Sequence, residues 1–143
     1  MHEVVAGLLW VGHALDARNP RAVLDAGIAA VVDLAYEELP AALPRDLVYC
    51  RFPLVDGAGN DPQRLRLAVE TVVNLLDGGT PTLVSCSAGM SRAPAIAAAA
   101  LSVWRKEPLE QSLQALAQSQ PHDVSATLWD DMIKACGPIR RSR

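Results

Sequence analysis

Residues 84–94, Val-Ser-Cys-Ser-Ala-Gly-Met-Ser-Arg-Ala-Pro, constrain this chain more than any other segment. An apolar run, Thr82-Leu83-Val84, leads into a short loop of small residues, and an alanine-rich stretch from Ala95 to Trp104 leads out of it. Strand, tight loop and helix in that order aim the loop N–H groups and the helix N-terminus at one point, which makes an anion site. Cys86 opens the loop and Arg92 closes it. A thiol facing a helix N-terminus beside a cation is favoured as thiolate, the nucleophilic form. A guanidinium matches a phosphate group bidentately. Gly89 supplies the turn, because glycine alone reaches the required dihedrals cheaply. Ser87, Ala88, Met90 and Ser91 are expected to contribute mainly backbone N–H groups. Nucleophile, oxyanion cradle and clamp in one loop point to phosphoryl transfer through a cysteine.

Composition narrows the setting for that loop. A chain of 143 residues, half of them hydrophobic, is expected to form one domain, residues 1–143, with a genuine core. Aromatics make up 4%, so the core should be aliphatic. A net charge of −3 argues against nucleic acid or an anionic membrane as the main partner. The tail Arg140-Arg141-Ser142-Arg143 is basic but very short and reads as a solvated end. Cys50, Cys86 and Cys136 form an odd set without framework spacing, which fits a reducing, cytoplasmic setting. The start, Met1-His2-Glu3-Val4-Val5, lacks an export pattern, and no apolar run reaches spanning length. His2, His13 and His122 share no ligand spacing, so neither metal nor cofactor is expected.

Read in order, residues 4–11 form a strand pair or bent strand broken at Gly7. Asn19-Pro20 opens a short helix as cap and first turn; Ala22, Val23 and Ala26 give its buried face, and Gly27 its stop. Residues 28–34 are a continuous β-branched run, the pattern of a strand covered on both faces. Residues 36–46 form a loop or short turn of helix. Residues 47–52 make the next strand, which Pro53 is expected to end. Residues 56–61 form a glycine-bearing loop, and Asp61-Pro62 starts a long helix with Leu65, Ala68, Val69, Val72, Val73 and Leu76 at helical spacing. Gly78-Gly79 stops it before the strand at 82–85. Two more helices are expected at about 109–119 and 125–136, the last with a stripe of Leu128, Trp129, Met132, Ile133 and Cys136. The alternation predicts an α/β fold, a central, mostly parallel sheet flanked by helices.

With these residues in view, the chain resembles the dual-specificity branch of the cysteine-dependent protein tyrosine phosphatases along nearly its whole length. Gly7-Leu8-Leu9-Trp10-Val11-Gly12 is similar to the family's opening strand, and residues 19–34 to its first helix and following strand. Cys86 to Arg92 matches the signature Cys-x-x-x-x-x-Arg, with the Gly89 and Ser91-Arg92 of this branch. Phe52-Pro53-Leu54-Val55-Asp56 resembles the segment that carries the general acid. The resemblance therefore implies the protein tyrosine phosphatase-like fold, Cys86 as nucleophile, Arg92 as phosphate clamp and Asp56 as acid. Asp61 is the rival acid, although Asp61-Pro62 reads better as a helix cap. Asn60 is a candidate for orienting water or the acid loop, and Cys50 for a protective disulfide with Cys86.

Two positions depart from the family. Ser85 stands where the family has histidine before the nucleophile, and Ala93 where it has Ser or Thr after the arginine. Both losses should weaken support of the thiolate and slow breakdown of the phospho-enzyme, with the Ser85 hydroxyl restoring part of the hydrogen bonding. Family members that act on polyphosphorylated lipids often carry extra basic residues in this loop; no Lys, Arg or His lies between Cys86 and Arg92, so the resemblance implies that such an inositide is disfavoured. The expected substrate is a phosphorylated protein (phosphotyrosine, with phosphoserine and phosphothreonine as further candidates) or a small phosphomonoester. Two other classes stay open: a pseudophosphatase that binds phosphorylated partners without turnover, and a sulfurtransferase or arsenate-reductase-like enzyme.

Overall fold

A computed structural model of the chain describes residues 1–137 and residue 139. The basic tail at 140–143 lies outside the described residues. Five strands form one sheet: β1 (His2–Val5), β2 (Leu9–Gly12), β3 (Ala30–Ala35), β4 (Val48–Leu54) and β5 (Thr82–Ser85). Their spatial order is β1-β2-β5-β3-β4. β1 and β2 pair antiparallel across the turn at Gly7, and every other pairing is parallel. This is the mostly parallel α/β sheet that the alternation of elements predicts.

Among the described residues the helices are α1 (Ala14–Ala17), α2 (Pro20–Asp25), α3 (Pro62–Asp77), α4 (Arg92–Arg105), α5 (Leu109–Ser119) and α6 (Ala126–Cys136). Alternate strand residues serve opposite faces of the sheet, as the two-residue period requires. Leu9, Val11, Val32, Leu34 and Val84 join the larger core with α3, α4 and α6, whereas Trp10, Val31 and Leu83 pack with Ala17, Val23 and Ile28 on the other face. α3 buries the same six positions that its spacing marks. α4 is buried from Arg92 to Leu101, as a helix apolar all round must be.

The caps show why the helices begin where they do. The Asn19 side chain accepts from the Ala22 N–H at 3.2 Å, and that of Asp61 from Gln63 N–H at 3.0 Å, leaving Asp61 as a cap. α1 was not anticipated from the sequence; His13 and Asp16 close a reciprocal capping box around its single turn. Pro53 does not end its strand: β4 runs on to Leu54, and a sheet-edge position tolerates a residue without an N–H. On α2 only Val23 is buried, with Ala22 and Ala26 half-buried. On α6 the stripe turns toward Ala135, leaving Ile133 exposed and Trp129 half-buried. Residues 36–46 hold no helix. No described helix is long and apolar enough to cross a membrane.

Candidate functional site

Because β2, β3, β4 and β5 run parallel, the segments leaving them emerge at one edge of the sheet. β5 is central, with β2 and β3 on either side, so the chain crosses in opposite directions there. Such switch points in open α/β sheets leave a crevice at the strands' carboxyl ends. Residues 86–91 occupy it. The Cys86 N–H donates to Gly12 O at 3.4 Å, and Ala14 N–H to Ser87 O at 3.2 Å, which ties the loop to the segment after β2. Gly89 has φ +74°, and a Cβ there would meet Gly12 O at 2.9 Å. The turn expected at Gly89 thus rests on both dihedral and close approach.

Cys86 is 2% exposed, and its Sγ accepts from Ala93 N–H, in the first turn of α4, at 3.4 Å. Among the described residues, the N–H groups of Ser87, Ala88, Gly89, Met90, Ser91 and Arg92 donate to no other group. Ser91 does not cap α4 with its side chain. Its hydroxyl instead donates to Asp56 Oδ1 at 2.6 Å and accepts from Ser125 N–H at 2.9 Å. Unpaired N–H groups at a glycine turn and an uncapped helix N-terminus form a concavity suited to an anion.

Arg92 lies at the base, 4% exposed. Nη1 and Nη2 donate to the two carboxylate oxygens of Glu37 at 2.6 and 2.9 Å, and Nη1 also donates to Leu54 O at 2.7 Å. Nε is buried without a partner among the described residues. Glu37 thus takes the end-on fork of the guanidinium and leaves the side-on fork, Nε with Nη2, for an oxyanion. Burial opposes the Arg92 charge, but the Glu37 hydrogen bonds and the electrostatic influence of the neighbouring Cys86, Glu37 and Asp56 side chains outweigh it and raise the guanidinium's pKa. In turn the Arg92 hydrogen bonds lower the Glu37 carboxyl to about 2.

Neighbouring carboxylates brace the rest of the loop. Glu38 Oε2 accepts from the Ser87 hydroxyl at 3.1 Å. Asp56 follows β4, and its loop is folded by Asn60, whose amide accepts from Val55 N–H at 2.9 Å and donates to Val55 O at 2.8 Å and Gly57 O at 3.3 Å. The Glu37-Glu38 segment is anchored from behind. Asp33, fully buried, accepts from Tyr49 Oη at 2.6 Å and Arg18 Nη2 at 3.0 Å. Tyr49 Oη accepts from Ala41 N–H, while Arg18 and Arg51 donate to the carbonyls of Leu39 and Glu38. Burial, then the Asp33 hydrogen bond, raise the Tyr49 pKa, so its phenol stays a donor.

The structure therefore brings Cys86, Arg92, Asp56 and the 87–91 loop together. The sequence reading missed Glu37, Glu38 and the Asp33-Tyr49-Arg18 anchor. A charged Asp33 inside an apolar strand was the available signal; Glu37-Glu38 lie in a loop that has no periodicity to read. Ser85 Oγ is buried without a partner among the described residues, so the hydrogen bonding expected of it is not made. The Cys50–Cys86 disulfide is also overturned. Val32 pairs with Cys50 on one side and Val84 on the other, which places those two backbones about two strand spacings, roughly 10 Å, apart. Cys86 lies two residues further on, and a disulfide needs Cα atoms within about 7 Å.

This α/β architecture is the fold of the dual-specificity phosphatases. Among solved structures the chain is similar to human DUSP28, with TM-score 0.84 and 21% identity over 96% of each chain. It is likewise similar to DUSP15 (TM-score 0.77, 20% identity, 94% of this chain and 85% of that one). A third is the human tyrosine phosphatase-like serine/threonine/tyrosine-interacting protein (TM-score 0.81, 17% identity, 94% and 93%). No protein-family model and no curated protein sequence matches the chain.

Proposed function

We propose that the chain hydrolyses phosphomonoesters, those of phosphorylated proteins above all, through a cysteinyl-phosphate intermediate. The observation that carries this reading is Arg92: buried, with Glu37 on one fork and Nε unpaired on the other, at the far end of the loop that Cys86 opens. In this scheme the Cys86 thiolate attacks phosphorus while the ester P–O bond breaks, and Asp56 gives its proton to the leaving oxygen. The ionised Asp56 then takes a proton from water as that water attacks phosphorus and the S–P bond breaks, releasing phosphate and thiolate. Arg92 Nε and Nη2 with the loop N–H groups hold the equatorial oxygens, whose charge is spread most widely in the transition state. Every step uses groups of the chain and water. Free thiols suit a reducing compartment, the cytoplasm.

Hydrolysis of a chromogenic aryl phosphate by wild type and Cys86→Ser tests the proposal. Turnover that disappears in Cys86→Ser supports it; equal turnover in both defeats it. Ser85 and Ala93 support a second reading, a phosphate-binding protein with little turnover. The Ser85 hydroxyl is unpartnered, and Ala93 offers Sγ an N–H but no hydroxyl. Tight phosphopeptide binding with no Cys86-dependent turnover would select that reading.

A further inference from the structure

Resting on the phosphate site proposed above, we infer that Arg51 is a positioning residue: it folds the turn that carries Glu37 and through it sets Arg92 for the oxyanion. Residues 35–38, Ala-Tyr-Glu-Glu, make that turn, closed by the bond from Glu38 N–H to Ala35 O at 3.4 Å. Its sequence carries no turn signal. There is no Asp, Asn or Ser at the first position, no proline at the second and no glycine at the last. The turn is therefore held from outside.

Arg51 supplies the hold. Its Nη2 donates to Glu38 O at 2.5 Å, to Ala35 O at 3.1 Å and, more loosely, to Tyr36 O at 3.5 Å. Three carbonyls of one turn converge on one nitrogen, and the residue among them, Glu37, sends its carboxylate to Arg92. The reach of Arg51 comes from sheet register. Asp33 pairs with Arg51 but Ala35 with Leu54, so two steps along β3 match three along β4. An extra residue of this kind bends its strand and re-aims a side chain, and Arg51 stands where the shift begins. Beyond it, Leu54 O accepts from Tyr36 N–H at 3.4 Å and from Arg92 Nη1 at 2.7 Å. The turn and the guanidinium it serves are docked on the same carbonyl.

The other contacts of this loop hold its neighbours. Arg18 reaches Leu39 O, one residue beyond the turn, Tyr49 Oη accepts from Ala41 N–H, and the Ser87 hydroxyl meets the Glu38 side chain. Removing Arg51 should therefore release Glu37 most directly. Arg92 then loses the partner on its end-on fork, and its side-on fork is no longer aimed with the loop N–H groups; misorientation of that kind weakens an oxyanion site. Because one nitrogen makes all three contacts, the planar fork is not needed at position 51. A lysine ammonium offers three N–H donors, so lysine should replace Arg51, although it cannot replace Arg92.

The test is calorimetric titration with inorganic phosphate, with kcat/KM for an aryl phosphate measured beside it. Arg51→Met keeps an unbranched stem and should weaken phosphate binding about tenfold, as Glu37→Gln does. Arg51→Lys should stay within about threefold of wild type. Added to Glu37→Gln, Arg51→Met should cost less than about twofold more, since both act through one pair. A loss of stability alone would show neither rescue by lysine nor dependence on Glu37. Should Arg51→Met not fold, Arg51→Gln takes its place, with a loss between those of Arg51→Lys and Glu37→Gln. Wild-type affinity in Arg51→Met, an equal loss with and without Glu37, or a lysine variant as weak as the methionine one overturns the inference and leaves the phosphatase reading intact. Wild type that binds phosphate without Cys86-dependent turnover defeats the phosphatase reading, and the same titrations still decide the role of Arg51. Wild type that binds no phosphate defeats both.

Discussion

The two ends of the 86–92 loop are held in different ways. Cys86 is fixed by the backbone around it: the end of β5, the Gly12 carbonyl, the Gly89 turn and the first turn of α4. Arg92 is fixed by side chains from far along the chain, Glu37 above all, which is itself held by a loop tied to Asp33, Tyr49, Arg18 and Arg51. One end is held by backbone, from its own segment and from Gly12; the other is held by side chains across two loops. The Cys86 end should therefore respond to changes in its own segment and at Gly12, and the arginine end to changes 55 positions away.

Substitutions can break that contrast. Arg92→Ala should lower kcat/KM for an aryl phosphate by on the order of 10³–10⁵, as loss of a transition-state arginine does. Arg92→Lys should recover only part, since an ammonium cannot engage Glu37 and a phosphate through two forks. Asp56→Asn should cost about 10²–10⁴ in kcat for a poor alkyl leaving group and far less for a nitrophenyl one. A loss equal for both leaving groups would remove Asp56 from the acid role.

Glu37→Gln should reach Arg92 without touching Cys86. We expect phosphate affinity to fall about tenfold while iodoacetate labelling of Cys86 stays within a few-fold. Its effect on stability carries a pH signature. The Glu37 carboxyl is lowered to about 2 from an ordinary 4.5, so its contribution is complete above 4.5 and is lost as pH falls toward 2. Glu37 is half-exposed, which limits that contribution to about 1 kcal/mol. Melts of wild type and variant should differ by a constant amount from pH 7 to 5 and converge below 4.5; a gap that widens on acidification would refute the pairing. Smallest, Asn60→Ala should cost about 1 kcal/mol and lower kcat more than it raises KM, because Asn60 folds the loop that bears Asp56.

What the sequence disclosed follows the same division. β5, α3, α4 and α5 were legible because apolar runs, helical spacing and, for α3, a cap are local. So was the Gly89 turn, whose dihedral shows in the residue itself. α1 escaped because four residues carry no period, and its cap is a histidine outside the usual Ser, Thr, Asp and Asn. Pro53 misled because the edge position of β4 depends on strand order. The Glu37 clamp and the Cys50–Cys86 separation were hidden for the same reason: both depend on which strands become neighbours.

The account's central claim is that phosphoryl groups pass through Cys86. Its most direct test is rapid quenching of wild type and Asp56→Asn with aryl phosphate, followed by mass analysis of the peptide bearing Cys86. The account predicts a phosphoryl group on Cys86 that appears with a burst of phenol and accumulates in Asp56→Asn at the second, hydrolytic step. Phenol release with Cys86 unmodified throughout, undiminished in Cys86→Ser, would contradict it.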